Sequence, residues 1–341
     1  MFSLSGCATG IGSLPFTDPH EALDVIMRFC PQVPFWPQLP KRSLKEGMLL
    51  QYCENIPCLK VEAGSIVFNG SDIDAQLEAF YERVIAEDVE YFKISSEYAA
   101  GIDAFVSRLK AADTGIQAVK GHITGPFTFA ASLKDEKGIA LLHEPVFMQV
   151  IVKSLTMKAL WQLKRFAGLP GERIIFMDEP YLGCFGSAYT PVNKEDVVSG
   201  LGEIASTLQA AGALVGVHCC GNTDWSIFTD TPGIGIINFD AFDFLDKFIL
   251  YADNLKGYVA KGGIICWGIV PTHDAALNLT PQELVEKLTR GLQLLENKGV
   301  NVDLLRKNLL VSPACGLGAL AVTKVEPIFK LLSGVSAIMR G

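Results

Sequence analysis

A single (β/α)8 barrel is the fold class that this 341-residue chain predicts, and three observations lead to it. Hydrophobic residues make up 49% of the chain and charged residues 19%, enough apolar matter to bury one large core. Short runs rich in β-branched residues alternate with stretches of helical spacing, the pattern of βα units that build a parallel sheet. The polar residues able to carry chemistry fall at or just beyond the ends of those runs, and a barrel gathers the C-terminal ends of its strands into one mouth.

Eight runs are predicted as strands: 7–13 (CATGIGS), 91–97 (YFKISSE), 117–123 (QAVKGHI), 173–179 (RIIFMDE), 213–220 (ALVGVHCC), 233–240 (GIGIINFD), 262–269 (GGIICWGI) and 308–315 (NLLVSPAC). Helical spacing is clearest at 195–212 and 280–299, where Thr280 and Glu283 have the form of a capping box and Gly299 sits at the stop. The stretch 14–90 is too long for a simple βα connection. Its segment PQVPFWPQLPKRS (31–43) is dense in proline and aromatic residues, so an elaborated cap or lid over the mouth is expected there.

Net charge is −8, and no stripe of Lys and Arg is present to displace counterions from phosphates, so no nucleic-acid partner is expected. The first residues lack the charged and apolar regions of a signal peptide, and no apolar run reaches the ~18–20 residues of a membrane span. A cytoplasmic location with no membrane partner follows as an expectation, and the nine cysteines are expected to remain thiols.

Three of the residues at the mouth form a set. His218 and Cys220 are two apart at a strand end, so in extended geometry both side chains point to the same side, while Cys219 points to the other. Cys315 closes the last strand in SPACG. Imidazole and thiolate are ligands for a soft cation such as Zn2+, and three protein ligands with an open fourth position is the arrangement of a catalytic site. Asp240, Asp243 or water can complete the shell, Asp240 being preferred; its alternative role is to cap the next helix. Two anionic cysteines limit the charge the metal withdraws from a bound sulfur, which favours alkylation of a thiol over hydrolysis. Asp178 in MDEP is placed to bind a substrate ammonium or, alternatively, to cap a helix or form an ion pair, and Glu97 has the same two readings. GIGS (10–13) can receive a carboxylate or be a plain tight turn. His273 follows the seventh strand as a candidate proton donor or a solvated loop histidine.

Together these segments resemble the catalytic C-terminal domain of cobalamin-independent methionine synthase, along nearly the whole barrel and in the same order. ATGIGSLP is similar to that family's TTIGSFP, VKGHITGP to VKGMLTGP, MDEP to DEP, HCC to H-x-C and SPACGL to SPDCGL. The resemblance implies Zn2+ held by His218, Cys220 and Cys315, with homocysteine bound through its sulfur. The family's fourth ligand is Glu, and Asp240 falls at its place. By the same carry-over Ile11, Gly12 and Ser13 surround the amino-acid carboxylate, Glu97 and Asp178 surround its ammonium, and His273 matches a histidine that assists the leaving group. Full-length members carry a second barrel that helps hold the folate donor, whereas one barrel is read here, so a methylcorrinoid, either methylcobalamin or a corrinoid protein, is the expected donor. HCCGNT also resembles HICGNT of methylcobalamin:coenzyme M methyltransferases, which makes another thiol the alternative acceptor. A non-enzymatic module binding zinc or a corrinoid protein is the alternative of another class. Uroporphyrinogen decarboxylase shares the barrel but would leave Cys220 and Cys315 unexplained.

Overall fold

A computed structural model describes residues 4–111, 115–187 and 191–341. Its strands are β1 (Cys7–Ala8), β2 (Leu59–Glu62), β3 (Ser65–Phe68), β4 (Ala118–Thr124), β5 (Glu172–Asp178), β6 (Ala213–Cys219), β7 (Ile234–Phe239), β8 (Ile264–Val270) and β9 (Leu309–Pro313). Seven of them form one curled, wholly parallel sheet in the order β1-β9-β8-β7-β6-β5-β4, with helices between the strands, and β2 and β3 make a separate antiparallel hairpin. Six predicted runs, from 117–123 to 308–315, therefore coincide with strands to within one or two residues at most ends. The capping box at Thr280 and Glu283 is present at the start of helix Pro281–Asn297.

The run 91–97 is a correction. It forms turns rather than a strand, and the place between β1 and β4 is taken by residues 32–38. That segment makes parallel bridges to both edges of the sheet, Ser13 with Gln38 and Phe35 with Lys120. Its hydrogen bonds are Lys120 N to Pro34 O (2.9 Å), Trp36 N to Lys120 O (3.3 Å), Gln38 N to Gly12 O (3.1 Å) and Leu14 N to Gln38 O (2.9 Å). Pro34 and Pro37 have no N–H to give, so bridges replace a ladder. The missing donor and acceptor come from the outer helix Pro145–Arg165, whose Gln162 side-chain amide stands in for a peptide. Its Oε1 accepts from His122 N (3.2 Å) and Trp36 Nε1 (2.9 Å), and its Nε2 donates to His122 O (2.8 Å). The added structure expected across 14–90 accordingly starts later. Residues 19–29 are the helix after β1, and the hairpin and helix Ile73–Ile85 lie within 39–99.

Inside the sheet Ala118, Ile174, Leu214, Ile236, Ile264 and Leu310, one from each strand from β4 to β9, pack together with Val33 of the bridging segment. This apolar plug gives way towards the C-terminal strand ends to a polar layer, which positions the site. Among the described residues no helix is long and apolar enough to cross a membrane.

Candidate metal centre and substrate cavity

The C-terminal strand ends open onto a cavity of about 340 Å³, whose lining includes Ile11, Ser13, Asp178, His218, Cys220 and Cys315. Strand register brings the polar members together: Asp178 pairs with His218 across β5 and β6, and His218 with Asn238 across β6 and β7. One ligand atom each from His218, Cys220 and Cys315 lies within 4.8 Å of the others, although Cys315 is far away in the chain. Cys219 faces away, is fully buried, and has its thiol against Gly221 O (3.8 Å).

The chemistry of the three suits a soft cation. The hydrogen bond from Cys220 lowers the Cys315 thiol well below its usual range against the effect of burial, with His218 adding to the lowering, while Cys315 in turn raises Cys220. Two sulfurs and an imidazole are thus held against one another by hydrogen bonds, which a divalent ion would replace with bonds to all three. The imidazole is already oriented for that. His218 Nδ1 is hydrogen-bonded to Asn238 Oδ1, which leaves Nε2 to face Cys315 as the ligand atom.

Asp178 is the second feature of the cavity. Its Oδ1 is buried and has no partner among the described residues. Burial raises the carboxyl to about 6, with His218 and Lys120 working in the opposite direction. A half-buried carboxylate with one buried, unpaired oxygen, ionised at neutral pH, is a receptor for a cationic group. Its neighbour Glu179 has a different task, accepting from Phe127 N (2.9 Å), Thr128 N (2.8 Å) and Thr128 Oγ1 (2.6 Å), and so anchors the start of helix Pro126–Ala131.

The turn at 11–13 is braced from below and from the side. Buried Lys120 donates from Nζ to Ile11 O (2.5 Å), a Cβ on Gly12 would lie 2.7 Å from the His122 ring, and Ser13 Oγ accepts from Gly318 N (3.3 Å). The Ser13 hydroxyl proton is left to point at a ligand. From 39–99, Met48 reaches the cavity, its carbonyl held by Thr124 Oγ1 (2.5 Å).

Other expected site residues are placed elsewhere. Glu97 does not line the cavity; its side chain is 69% exposed and paired with Lys45 at 2.5 Å, because 91–97 is not a strand and does not deliver it to the mouth. His273 is also outside, 54% exposed, with Nε2 3.5 Å from Asp243 Oδ2 and Nδ1 capping the turn at Ala275. Asp240 is not one of the three grouped ligand residues; its Oδ1 accepts from Phe242 N (3.0 Å) and Asp243 N (2.9 Å), bracing the turn before helix Leu245–Phe248 and not capping that helix, whose first turn has no side-chain cap. Reading the sequence missed Asn238 and Lys120. The available signal was a polar residue in a run otherwise apolar, IIN in one case and AVKG in the other.

No family model matches the chain, and no curated protein matches it in sequence. Among solved structures, a B12-independent methionine synthase from Shewanella sp. W3-18-1, in complex with selenomethionine, is similar to it with a TM-score of 0.56 at 14% identity, covering 98% of each chain. At that identity the likeness is one of fold, and it extends over the whole curled parallel sheet and its surrounding helices.

Proposed function

We propose that this chain is a zinc-dependent methyltransferase that converts homocysteine to methionine, with a methylcorrinoid as donor. The observation that carries the proposal is the convergence of His218, Cys220 and Cys315 within 4.8 Å beside Asp178, a half-buried carboxylate whose Oδ1 has no partner among the described residues. Support for methionine chemistry comes from the fold neighbour, a methionine synthase of matching length.

A zinc ion held by these three side chains supplies a Lewis acid that brings a thiol of ordinary pKa, about 8.5, to the thiolate at neutral pH. The chain's own residues do the rest. Asp178 takes the substrate ammonium, which gives its Oδ1 the partner it lacks among the described residues. Ser13, donating its hydroxyl proton from the braced 11–13 turn, takes the carboxylate. Ile11 and Met48 cover the methylene chain and keep water from the sulfur, so the nucleophile is held with one face open to the methyl group. Coenzyme M fits less well, since it brings a sulfonate and no ammonium to a cavity whose buried charge is Asp178. The donor reading rests on the likeness of HCCGNT to HICGNT. The neighbour of equal length is B12-independent, so the length of the chain does not argue for a corrinoid.

The test is to measure zinc content by elemental analysis and then methyl transfer to homocysteine from methylcobalamin and, separately, from methyltetrahydrofolate. About one zinc per chain and turnover with methylcobalamin are expected. Protein carrying no zinc after purification without chelators would overturn the metal reading, and turnover with the folate alone would overturn the donor.

A further inference from the structure

Asn238 sits on β7 at the level of His218, fully buried, in a strand otherwise apolar. An amide there needs a reason, since burying it without partners is costly. All its hydrogen-bonding groups are used, and they run in one direction across four neighbouring strands. Ser312 Oγ on β9 donates to Pro313 O (2.9 Å). Asn238 Nδ2 donates to Ser312 Oγ (2.9 Å) and to Cys266 O on β8 (2.9 Å). Because the Cys266 carbonyl can only accept, the amide cannot be flipped, and Oδ1 must face His218 Nδ1. Nδ1 therefore carries a ring proton, and Nε2 is the nitrogen left to face Cys315 and a metal.

We infer that Asn238 is a positioning residue that fixes the tautomer and ring orientation of His218, so that the imidazole is committed to a metal through Nε2 before the ion arrives. This inference rests on the metal reading above. It assigns to a neutral amide the task that carboxylates and backbone carbonyls perform behind many ligating histidines. It also explains the length of the network: an amide that only accepted from His218 would be free to turn, whereas one pinned by Cys266 O and Ser312 Oγ is not.

The test compares Asn238→Leu, which removes the acceptor at similar volume, with Asn238→Asp, which keeps one, using chelator competition for zinc on the full chain. Asn238→Leu is expected to weaken zinc binding by about 10–100-fold, and Asn238→Asp to remain within a few-fold of the native protein. A leucine variant binding zinc as tightly as the native chain, or equal losses in both variants, overturns the inference. A second measurement needs no variant. In native protein labelled with 15N-histidine and loaded with 113Cd, coupling from the metal is expected at His218 Nε2, and coupling at Nδ1 overturns the inference whether or not the leucine variant folds. Native protein that binds neither ion would instead overturn the metal reading itself, which keeps the two failures apart.

Discussion

Replacing Gln162 by Leu tests how the sheet is closed. The amide touches no ligand. It bridges the helix Pro145–Arg165 to the seam between β4 and residues 32–38, accepting from His122 N and Trp36 Nε1 and donating to His122 O. Leucine removes all three bonds. The His122 carbonyl keeps a partner in Tyr52 Oη (2.9 Å), but the two N–H groups are left buried with none. At about 1–3 kcal/mol for each unsatisfied buried donor, the loss is about 2–6 kcal/mol, reduced by about 1 kcal/mol for the apolar surface leucine buries. That is a large share of the ~5–15 kcal/mol typical of a folded domain. Reversible urea denaturation followed by tryptophan fluorescence reads it directly, because Trp36 stacks on His122 at 4.1 Å within the seam. Gly121→Ala provides a check from the other side. Its Cβ would lie 2.4 Å from Gln162 Oε1, so it displaces the same amide, and the double variant should lose less than the two single losses added. A loss below about 1 kcal/mol in Gln162→Leu would show that the seam does not depend on the amide.

Three further predictions concern the cavity. Cys220→Ser and Cys315→Ser should each abolish retention of zinc through desalting, while Cys219→Ser, whose thiol faces Gly221 O, should retain it; equal losses at all three would contradict the facing of the strand. Asp178→Asn should raise the KM for homocysteine by about 10–100-fold, the worth of a charged hydrogen bond, and leave that for a mercaptan without an amino group unchanged. In the native enzyme the same KM should rise as the pH falls through about 6, since burial raises the Asp178 carboxyl and the protonated form has no charge to offer an ammonium; a KM flat from pH 7.5 to about 5 would remove Asp178 from the binding site.

The strands legible in the sequence were those whose partners are also strands. From β4 to β9 each run is buried on both faces and reads as β-branched residues bounded by turns, which local pattern captures. The second position of the sheet, between β1 and β4, was not legible. Residues 32–38 carry Pro34 and Pro37, which argue against a strand in any local reading, and what makes the segment serve as one is an amide more than a hundred residues away on a helix. By propensity YFKISSE reads as the better strand. That single substitution of one segment for another also misplaced Glu97, because a residue is delivered to the mouth only by the strand beneath it.

The site shows the same division for a different reason. The convergence of His218, Cys220 and Cys315 was legible because candidate metal ligands are restricted to a few residue types and a barrel collects strand ends. Asn238 was not, since its role depends on a partner's other nitrogen, and no local pattern separates an amide that caps a turn from one that holds an imidazole. Asp178 falls between the two. MDEP marks two carboxylates, but only the fold separates them: Glu179 turns outward to three donors from helix Pro126–Ala131, and Asp178 turns inward to none. A buried acid left unsatisfied is costly unless a ligand completes it. The Oδ1 left unpartnered at Asp178 is therefore itself an argument for a cationic group on whatever fills the cavity, which the proposed amino-acid substrate would bring as its ammonium.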